Sequence, residues 1–456
     1  MITVSTIQKS QIEGALRLDA EYYQPEYLSL ISKIKSQKSK LLKDIADKVF
    51  SGPFGSTLKS ESYQKEGIPF IRIGDISDVF INRENLVYIS ESENKRIFST
   101  HLNPGDIVFS KIGTIGRLSV ISKDLGQVNI SENNIGIRLS KLSPQEKVSL
   151  LFFLLSEYGQ LQILRSASGN IQQKLNVADI ESVEVSIFSP QFQWELWKLY
   201  EKITELRKQS TSLYSQAENL LLEELGLKDF EIEEDLSYIV NLSEIKSAHR
   251  ADAEYFQPKY DKLIAKIKKQ NAKLLGEIIA MKKGIEPGSE QYQEEGVPFI
   301  RVSNLSRHGI IDKDQKYLSD DLYQKLKVNH EPKVGEVLLS KDATPGIAYV
   351  VKESIKGIVS SGILRLKLKD RGVENEYLAL YLNSVIGQMQ AERDGGGSII
   401  THWKPEQVKN VLIRILPKST QQKIADLVQK SHEARKKAKQ LLEEAKQKVE
   451  KIIEIE

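Results

Sequence analysis

The chain has 456 residues, of which 65 are Lys or Arg and 62 are Asp or Glu, so its formal net charge is only +3. At roughly 150 residues per domain this length allows about three domains, and the balanced charge does not by itself indicate a nucleic-acid partner. The chain contains no Cys, which excludes disulfides, thiolate zinc sites and cysteine nucleophiles and fits a reducing, cytoplasmic setting. The sequence shows no export signal and no run of about 18 apolar residues, so we expect no membrane span.

Four segments of the first half of the chain recur in the same order in the second half. RLDAEYYQPEY, beginning at Arg17, returns as RADAEYFQPKY at Arg250, and EGIPFIRIGDI at Glu66 returns as EGVPFIRVSNL at Glu295. PGDIVFSKIGTIGR and GNIQQKLNVADIESVEV return as VGEVLLSKDATPGI and GSIITHWKPEQVKNVLI. Four collinear matches indicate that the chain is an internal duplication.

Each copy contains the same predicted elements in the same order. An amphipathic helix follows the DAEY motif, since apolar residues counted from Tyr27 and from Tyr260 are spaced i, i+3, i+4 and i+7. Short β-branched runs such as IPFIRIG, DIVFSKIG and SVEVSIF predict strands. A Leu- and Tyr-rich segment predicts one internal helix per copy, near 150–165 and 376–392. We therefore expect two mixed α/β (α+β) globules of ~170 residues each.

A long segment without internal Pro or Gly follows each globule, over about 190–225 and 419–453. Apolar and small residues recur in both segments at spacings of three and four, which predicts coiled-coil helices ~50 Å long. The predicted seam residues are Leu199, Ile203, Leu206, Leu213, Ala217 and Leu220 in the first helix and Ile424, Leu427, Ala434, Ala438, Leu441, Ala445 and Ile452 in the second. We expect the two helices to pair with each other in antiparallel fashion. The alternative is that each helix lies on its own globule, which would require a wider apolar stripe.

The motifs of the common enzyme classes are missing from this sequence. There is no glycine-rich phosphate loop ending in GKS or GKT, no HExxH, and no GxSxG elbow. The motif of amino-methyltransferases is also missing, which disfavours a self-contained methyltransferase, and the PD dipeptide of a common nuclease pattern does not occur. The six His residues have no metal-ligand spacing. We therefore expect neither catalysis in this chain nor a bound metal or cofactor.

The two similar modules, each followed by a long helix, with the openings DAEYYQPEY and DAEYFQPKY and the segments GIPFIR and GVPFIR, resemble the specificity subunit of type I restriction-modification systems. The resemblance covers essentially the whole chain. It implies target recognition domains at 1–188 and 228–417 and spacer helices at 189–227 and 418–456. It also implies a non-catalytic subunit that binds double-stranded DNA and assembles with two methylation subunits and, for cleavage, with translocating restriction subunits.

Two tandem globules on a pair of antiparallel helices would each read one half of a bipartite DNA site. The helices would then act as a rigid spacer that sets the distance between the half-sites. The alternative function is an interaction scaffold, in which the duplicated globules bind proteins and not DNA. Glycine-rich stretches such as KIGTIGR and RDGGGS are either simple turns or loops that approach a nucleic-acid backbone.

Polar and cationic side chains in the loops that differ between the copies are candidates for DNA contact, because such groups read base edges and bind phosphates. The candidates in the first copy are Lys59, Arg72, Lys111, Thr114, Arg117, Asn170, Gln172, Gln173 and Lys174. The candidates in the second copy are Lys282, Lys283, Arg301, Ser303, Asn304, Lys341, Thr344, Ser398, Thr401, His402 and Lys404. For each of them a solvated surface role is the competing interpretation. GNIQQKLN and GSIITHWK differ in hydrogen-bonding character, so we expect an asymmetric target.

Residues that the two copies share are expected to hold the scaffold. Asp19 and Asp252 are expected to cap the helix that follows each of them. Arg72 and Arg301 either anchor a phosphate or pair with a carboxylate. Trp403 either stacks on a base or packs in the core.

Overall fold

The computed structural model describes residues 4–10, 12, 17–53, 58–77, 79–113, 115–167, 174–228, 230, 236–268, 271–312, 314–395 and 401–455. The chain forms two compact units. Unit 1 comprises Met1–Glu205 and Lys437–Glu456, and unit 2 comprises Leu206–Lys436. The boundaries between the units therefore fall within the long helices and not at the helix ends, where the sequence pattern divides the chain. No helix in the described ranges has the length and apolar character needed to cross a bilayer.

Unit 1 is built from short strands and helices. Its strands are β1 (Ser39–Leu41), β2 (Lys48–Ser51), β3 (Ile68–Ile71), β4 (Val79–Phe80), β5 (Val87–Ile89), β6 (His101–Leu102), β7 (Ile107–Ser110), β8 (Leu118–Val120), β9 (Val128–Ile130), β10 (Asn134–Arg138) and β11 (Glu184–Ser186). Its α-helices begin with α1 (Pro25–Lys35), α2 (Leu42–Ile45), α3 (Glu91–Arg96), α4 (Pro144–Leu155), α5 (Glu157–Ser166) and α6 (Val177–Glu181), and the long helix α7 (Pro190–Glu224) follows them.

Unit 2 repeats this series. Its strands are β12 (Ala272–Leu274), β13 (Ile279–Lys283), β14 (Val297–Ile300), β15 (Leu305–Ser306), β16 (Gly309–Ile310), β17 (Lys316–Leu318), β18 (Val337–Ser340), β19 (Ala348–Val350), β20 (Ile358–Val359), β21 (Ile363–Leu368) and β22 (Leu412–Arg414). Its helices are α8 (Leu242–Ala248), α9 (Pro258–Lys268), α10 (Leu275–Ile278), α11 (Asp320–His330), α12 (Asn375–Asn383), α13 (Val385–Asp394) and α14 (Pro405–Lys409), and the second long helix is α15 (Lys418–Ile455).

The sheet topology confirms the duplication that the sequence predicts. The strand order β2-β10-β7-β8 in unit 1 corresponds to β13-β21-β18-β19 in unit 2, and the order β5-β3-β9 corresponds to β17-β14-β20. The pairs β1-β11 and β12-β22 are also equivalent. All residues of the central strands β7 (IVFS) and β18 (VLLS) are buried, as expected for strands with neighbours on both sides and a core against them. The mixed α/β class with a long helix after each globule is therefore confirmed.

The single internal helix predicted for each copy is instead a pair of helices. The break between α4 and α5 falls at Ser156 and the break between α12 and α13 at Ser384, where the backbone is extended and the side chain is fully buried. A glycine follows three residues later in both copies. A Cβ on Gly159 would lie 2.4 Å from the carbonyl oxygen of Phe153, and one on Gly387 would lie 2.3 Å from that of Leu382. Only glycine permits the second helix to pack so closely against the first.

Within unit 2, α7 and α15 pair through small side chains. The Ser431 hydroxyl lies 3.1 Å from that of Ser210 and 2.7 Å from the Ser210 carbonyl oxygen. Arg414, which precedes α15, donates to the carbonyl of Leu225, just after α7. Ser210 thus contacts Ser431, whereas Leu225, later in the chain, contacts Arg414, which is earlier than Ser431. The two segments are therefore antiparallel.

In unit 1, the C-terminal part of α15 packs on the globule. The Gln37 amide donates to the carbonyl of Ile453 over 2.8 Å, and Glu450 accepts a hydrogen bond of 2.8 Å from the backbone amide of Glu157, at the first residue of α5. A carboxylate at this position stabilises the helix N-terminus. The buried side chains of Val449 and Ile453 complete this contact face.

The predicted seam residues of the two long helices differ in burial. Among the predicted residues, the buried ones are Ile203, Ala217, Ile424, Ala434, Ala438 and Ala445, and the half-buried ones are Leu199, Leu206, Leu213, Leu220, Leu427, Leu441 and Ile452. Beside the half-buried residues lie fully buried neighbours, namely Tyr214, Leu221, Val428, Leu442 and Ile453. The buried stripe is therefore wider than two positions per heptad, because the helices also pack against the globules.

Unit 2 contains a buried aromatic and imidazole cluster where the β15–β16 hairpin meets both long helices. The rings of Tyr214 and His308 have centroids 5.1 Å apart, and the centroids of His308 and His432 are 6.1 Å apart. Tyr349 lies 6.1 Å from His432. Burial lowers the pKa of His308 to about 2 and that of His432 to about 3, and the positive charge of Arg435 acts in the same direction on both.

This cluster predicts acid sensitivity of unit 2. Both imidazoles have a lower pKa in the folded state than their usual value, so their stabilising contribution is complete above about pH 6.5 and is lost as the pH falls below it. Because each imidazole must be kept neutral in the folded state, it should lower the free energy of unfolding by about 1.4 kcal/mol for each pH unit below that value. Thermal melts from pH 7 to pH 5 should show a smaller fall in Tm for His432→Gln than for the unmodified chain. His249→Gln, at an exposed position, is the control, and equal slopes for all three proteins would contradict the prediction.

Candidate nucleic-acid interface

In unit 1, the turn between β7 and β8 meets the segment that follows α5. The backbone amide of Leu175 donates to the carbonyl of Lys111 over 2.9 Å, and Ile112 and Lys174 form an isolated β-bridge. On its other side the turn is held by Gln160 of α5, whose amide donates to the carbonyl of Gly116 over 3.1 Å. The structure thereby brings together two of the predicted candidates, Lys111 and Lys174.

The carboxyl end of β3 reaches the same edge of unit 1. Asn134 donates through its side-chain amide to the carbonyl of Ile71 over 2.7 Å, and the Lys111 amide donates to the carbonyl of Asn133 over 2.9 Å. Arg72 follows β3 directly, so these two hydrogen bonds connect its segment to that of Lys111. Several loop ends converge here, as is common where strands end at one edge of a sheet.

Unit 2 contains an equivalent turn with equivalent backbone contacts. The amide of Trp403 donates to the carbonyl of Lys341 over 2.8 Å, and the amide of Ala343 donates to that of Thr401 over 2.9 Å. Asp342 and His402 form the β-bridge that corresponds to the bridge in unit 1. Gln388 of α13 takes the role of Gln160, since its amide donates to the carbonyl of Gly346 over 2.8 Å.

The glycine of this turn is required by its geometry in both units. Gly116 and Gly346 have φ angles of +85° and +94°, and a Cβ would come within 2.5 Å and 2.6 Å of the amide groups of Gln160 and Gln388. Residues other than glycine rarely adopt such a φ angle. The turn that precedes β8 and the turn that precedes β19 therefore both require glycine at this position.

The charges around the two turns differ. In unit 1, Lys111 donates to the hydroxyl of Ser51 over 2.9 Å, and burial together with the charge of Lys174 lowers the pKa of its amine. In unit 2, Asp342 accepts hydrogen bonds from Lys341 over 2.6 Å and from His402 over 2.8 Å.

Burial raises the pKa of Asp342, but the hydrogen bonds from these two partners outweigh it and hold the pKa below its usual value. A carboxylate therefore offsets positive charge at the second turn, at the position where the first copy has Ile112.

The remaining candidates differ in their hydrogen-bond partners and in their exposure to solvent. Arg72 pairs with Asp75 at 3.3 Å, which favours the carboxylate interpretation, and Arg301 donates to the carbonyl of Asp314. Asn304 is fully buried and its amide is bonded to the backbone, which is the position of a scaffold residue.

The exposed candidates are Lys59, Lys174, Lys282, Lys283, Ser303, Thr344, His402 and Lys404, and the half-buried ones are Lys111, Arg117 and Thr401. Lys341 is buried. Thr114, Asn170, Gln172, Gln173 and Ser398 lie outside the described residues.

Trp403 packs in the core, where only 1% of its surface is exposed. This result decides between its two interpretations in favour of packing. Among the described residues, no group of three or more His, Asp or Glu side chains could hold a metal ion.

A family model described as the type I restriction modification DNA specificity domain matches this chain twice, over residues 34–212 and 267–447. The chain belongs to the type I restriction-modification specificity family. The two matches fall on the two copies of the repeat, and the resemblance stated from the sequence is confirmed. Specificity subunits are the non-catalytic components of restriction-modification complexes and contain the DNA target recognition function.

Individual relatives agree with this family. The chain is 26% identical to the type I restriction enzyme EcoBI specificity subunit of Escherichia coli over 161 residues, which is 34% of this chain and 32% of that relative. It thus spans about a third of that relative in the match. It is 23% identical to the putative type I restriction enzyme MjaX specificity subunit of Methanocaldococcus jannaschii over 433 residues, 90% of each chain. The crystal structure of a type I restriction-modification S subunit from M. genitalium is 15% identical over 91% of this chain and 94% of that chain, with a TM-score of 0.38.

Sequence reasoning missed several residues that shape the candidate interface of this specificity subunit. Gln160 and Gln388 support the turns, and Asp342 changes the charge of one of them. The two glutamines stand at equivalent places in the repeat, three residues before Ile163 and Ala391. A comparison of the copies for shared polar residues inside apolar helices could have identified them.

Proposed function

We propose that the chain is the DNA-reading subunit of a type I restriction-modification complex, in which each target recognition domain reads one half of a bipartite, asymmetric DNA site. In this proposal α7 and α15 set the spacer between the half-sites and dock two methylation subunits. Restriction subunits, which translocate DNA, join the complex for cleavage.

The observation that carries the proposal is the duplicated turn with its adjoining segment. Each unit presents the same backbone scaffold, with Lys111 and Lys174 on one and Lys341, Asp342 and His402 on the other. Cationic and polar groups on a rigid scaffold are suited to phosphate and base contacts. Because the scaffold is shared and the side chains differ, two half-sites of different sequence are the natural ligands.

Methylation mapping tests the bipartite target. The chain would be co-expressed with its methylation subunits in a host free of other methylation systems, and modified bases mapped across the genome. We expect methylation confined to one split sequence whose two halves differ and are separated by a fixed spacer. Exchange of residues 17–188 for the equivalent part of a relative should change one half only. Methylation that follows a continuous site, or none above that of the methylation subunits alone, would contradict the proposal.

Phosphate contact by the first turn is tested by salt titration. Each phosphate neutralised contributes about 0.9 to the slope of log K against log salt concentration. Lys174→Gln in the assembled complex should therefore reduce the slope by about 1 if this amine binds a phosphate. Lys95→Gln, on an exposed position of α3, is the matched control. An unchanged slope for Lys174→Gln would remove this lysine from the interface.

The spacer role of the helices is tested by matched insertions. Seven residues inserted after Ser210 and seven after Ser431 keep the heptad phase and lengthen both helices by ~10 Å. This length corresponds to about three base pairs, since a duplex turn of about 10 base pairs spans 34–36 Å. Methylation mapping should then find the same half-sites with a longer spacer. An unaltered spacer would show that α7 and α15 do not set it.

A further inference from the structure

The side chain of His402 is held in one orientation at the turn before β19. Its Nδ1 lies 2.8 Å from Oδ1 of Asp342, and the backbones of the two residues form an isolated β-bridge. The other carboxylate oxygen of Asp342 accepts a hydrogen bond of 2.6 Å from Nζ of Lys341. A side-chain contact and a main-chain contact therefore fix the same imidazole ring.

The carboxylate of Asp342 determines which ring nitrogen carries the proton. Burial raises the pKa of Asp342, but the hydrogen bonds from Lys341 and His402 keep it below its usual value. The carboxylate is therefore ionised at neutral pH and can only accept hydrogen bonds. Nδ1 of His402 must then be the protonated nitrogen, and in the neutral ring the other nitrogen, Nε2, is a hydrogen-bond acceptor.

The imidazole is the exposed member of this group. The side chain of His402 is 59% exposed, whereas the side chains of Lys341 and Asp342 are only 11% and 21% exposed. Within the described part of the chain, Nε2 of His402 makes no hydrogen bond. The ammonium and the carboxylate neutralise each other, so the group offers a ligand an oriented acceptor and not a charge.

The equivalent position in the first copy has the opposite hydrogen-bonding character. Lys174 forms a β-bridge with Ile112, as His402 does with Asp342. Lys174 is exposed, and an ammonium group can only donate. Ile112 provides no carboxylate that could offset this charge. The same place on the two scaffolds therefore presents a donor in unit 1 and an acceptor in unit 2.

Donors and acceptors on a protein select different bases in the major groove of DNA. Adenine and cytosine present exocyclic amino groups there, which donate, whereas guanine and thymine present carbonyl oxygens, which accept. An acceptor on the protein therefore pairs with adenine or cytosine and has no partner opposite guanine or thymine. A phosphate oxygen cannot bond to it either, because phosphate oxygens also only accept.

We propose that His402 is a specificity-determining residue of the second target recognition domain, whose Nε2 accepts a hydrogen bond from the exocyclic amine of an adenine or a cytosine. Asp342 is the positioning residue, since it fixes the tautomer of the ring. This inference rests on the proposed function, because it states what one of the two half-sites must present to the protein.

The experiment uses the complex of the full chain with its methylation subunits and the target found by methylation mapping. Binding is measured at about pH 8, where imidazoles are ordinarily neutral. Each adenine or cytosine of the two half-sites is replaced in turn by the corresponding base without its amino group. We expect one replacement to remove the bond to His402 and to weaken binding about fivefold, as for the loss of one hydrogen bond.

His402→Phe identifies the base in a double-mutant cycle. Phenylalanine keeps a planar ring but has no acceptor, so the variant should bind the unmodified target about fivefold more weakly. Removal of the contacted amino group should then weaken its binding no further, while every other base replacement keeps its full effect. His249→Gln, at an exposed position of the same unit, is the control and should behave as the unmodified chain does.

Asp342→Asn tests the tautomer. The amide of an asparagine can donate to Nδ1, which moves the ring proton to Nε2 and converts the acceptor into a donor. We expect this variant to prefer guanine or thymine at the contacted position. Asp321→Asn, at an exposed position of α11, should keep the original preference. Nitrogen-15 chemical shifts of the His402 ring report the tautomer in both proteins without DNA.

The outcomes separate this inference from the proposed function. If the unmodified complex does not distinguish the target from a scrambled duplex, the proposed function fails. If it does, but every base replacement keeps its full effect in His402→Phe, the role of His402 is refuted. A proton found on Nε2 in the unmodified chain would also refute it, as would an unchanged base preference in Asp342→Asn with the proton on Nε2.

Discussion

Two main-chain hydrogen bonds, one in each unit, determine which polar side chains share a surface. The amide of Leu175 donates to the carbonyl of Lys111, and the amide of Trp403 donates to that of Lys341. Leu175 and Trp403 are both buried, so a large apolar side chain anchors each segment in the core. The residue before each anchor is exposed, because successive side chains of an extended segment point to opposite sides. Core packing thereby places Lys174 and His402 next to the turns.

One scaffold thus carries two different sets of polar groups. Buried central strands, a turn glycine and a supporting glutamine recur at equivalent places in the two copies, and they fix the backbone. The two turns differ in side chains although their backbone bridges are equivalent, as at Ile112 in one turn and Asp342 in the other. A duplicated domain can change what it reads in this way without losing its fold, because the residues that stabilise it are separate from those that face outward.

The sequence predicted the regular elements well wherever their signal was local. Strands such as β7 and β18 are continuous apolar runs, and α7 and α15 show a periodicity that continues over several turns. The errors have physical reasons. Ser156 and Ser384 divide the internal helices, since an isolated serine in an apolar run gives no warning of an extended backbone. Asp19 was expected to act as a cap from its position before a helix, but a guanidinium two residues away binds its carboxylate more strongly.

The sequence by itself determined the duplication, the mixed α/β class, the long helices and the family, because these depend on repeated strings and on periodicities within one segment. Only the tertiary structure decided that Arg17 reaches Ser166 and that Lys341 and His402 share Asp342. Arg17 and Ser166, and likewise Asp342 and His402, are far apart along the chain, and spacing in a sequence does not reveal which loop ends meet at the edge of a sheet. The tertiary structure also decided which candidate side chains are accessible, because Trp403 and Asn304 lie in the core and Lys174 lies at the surface.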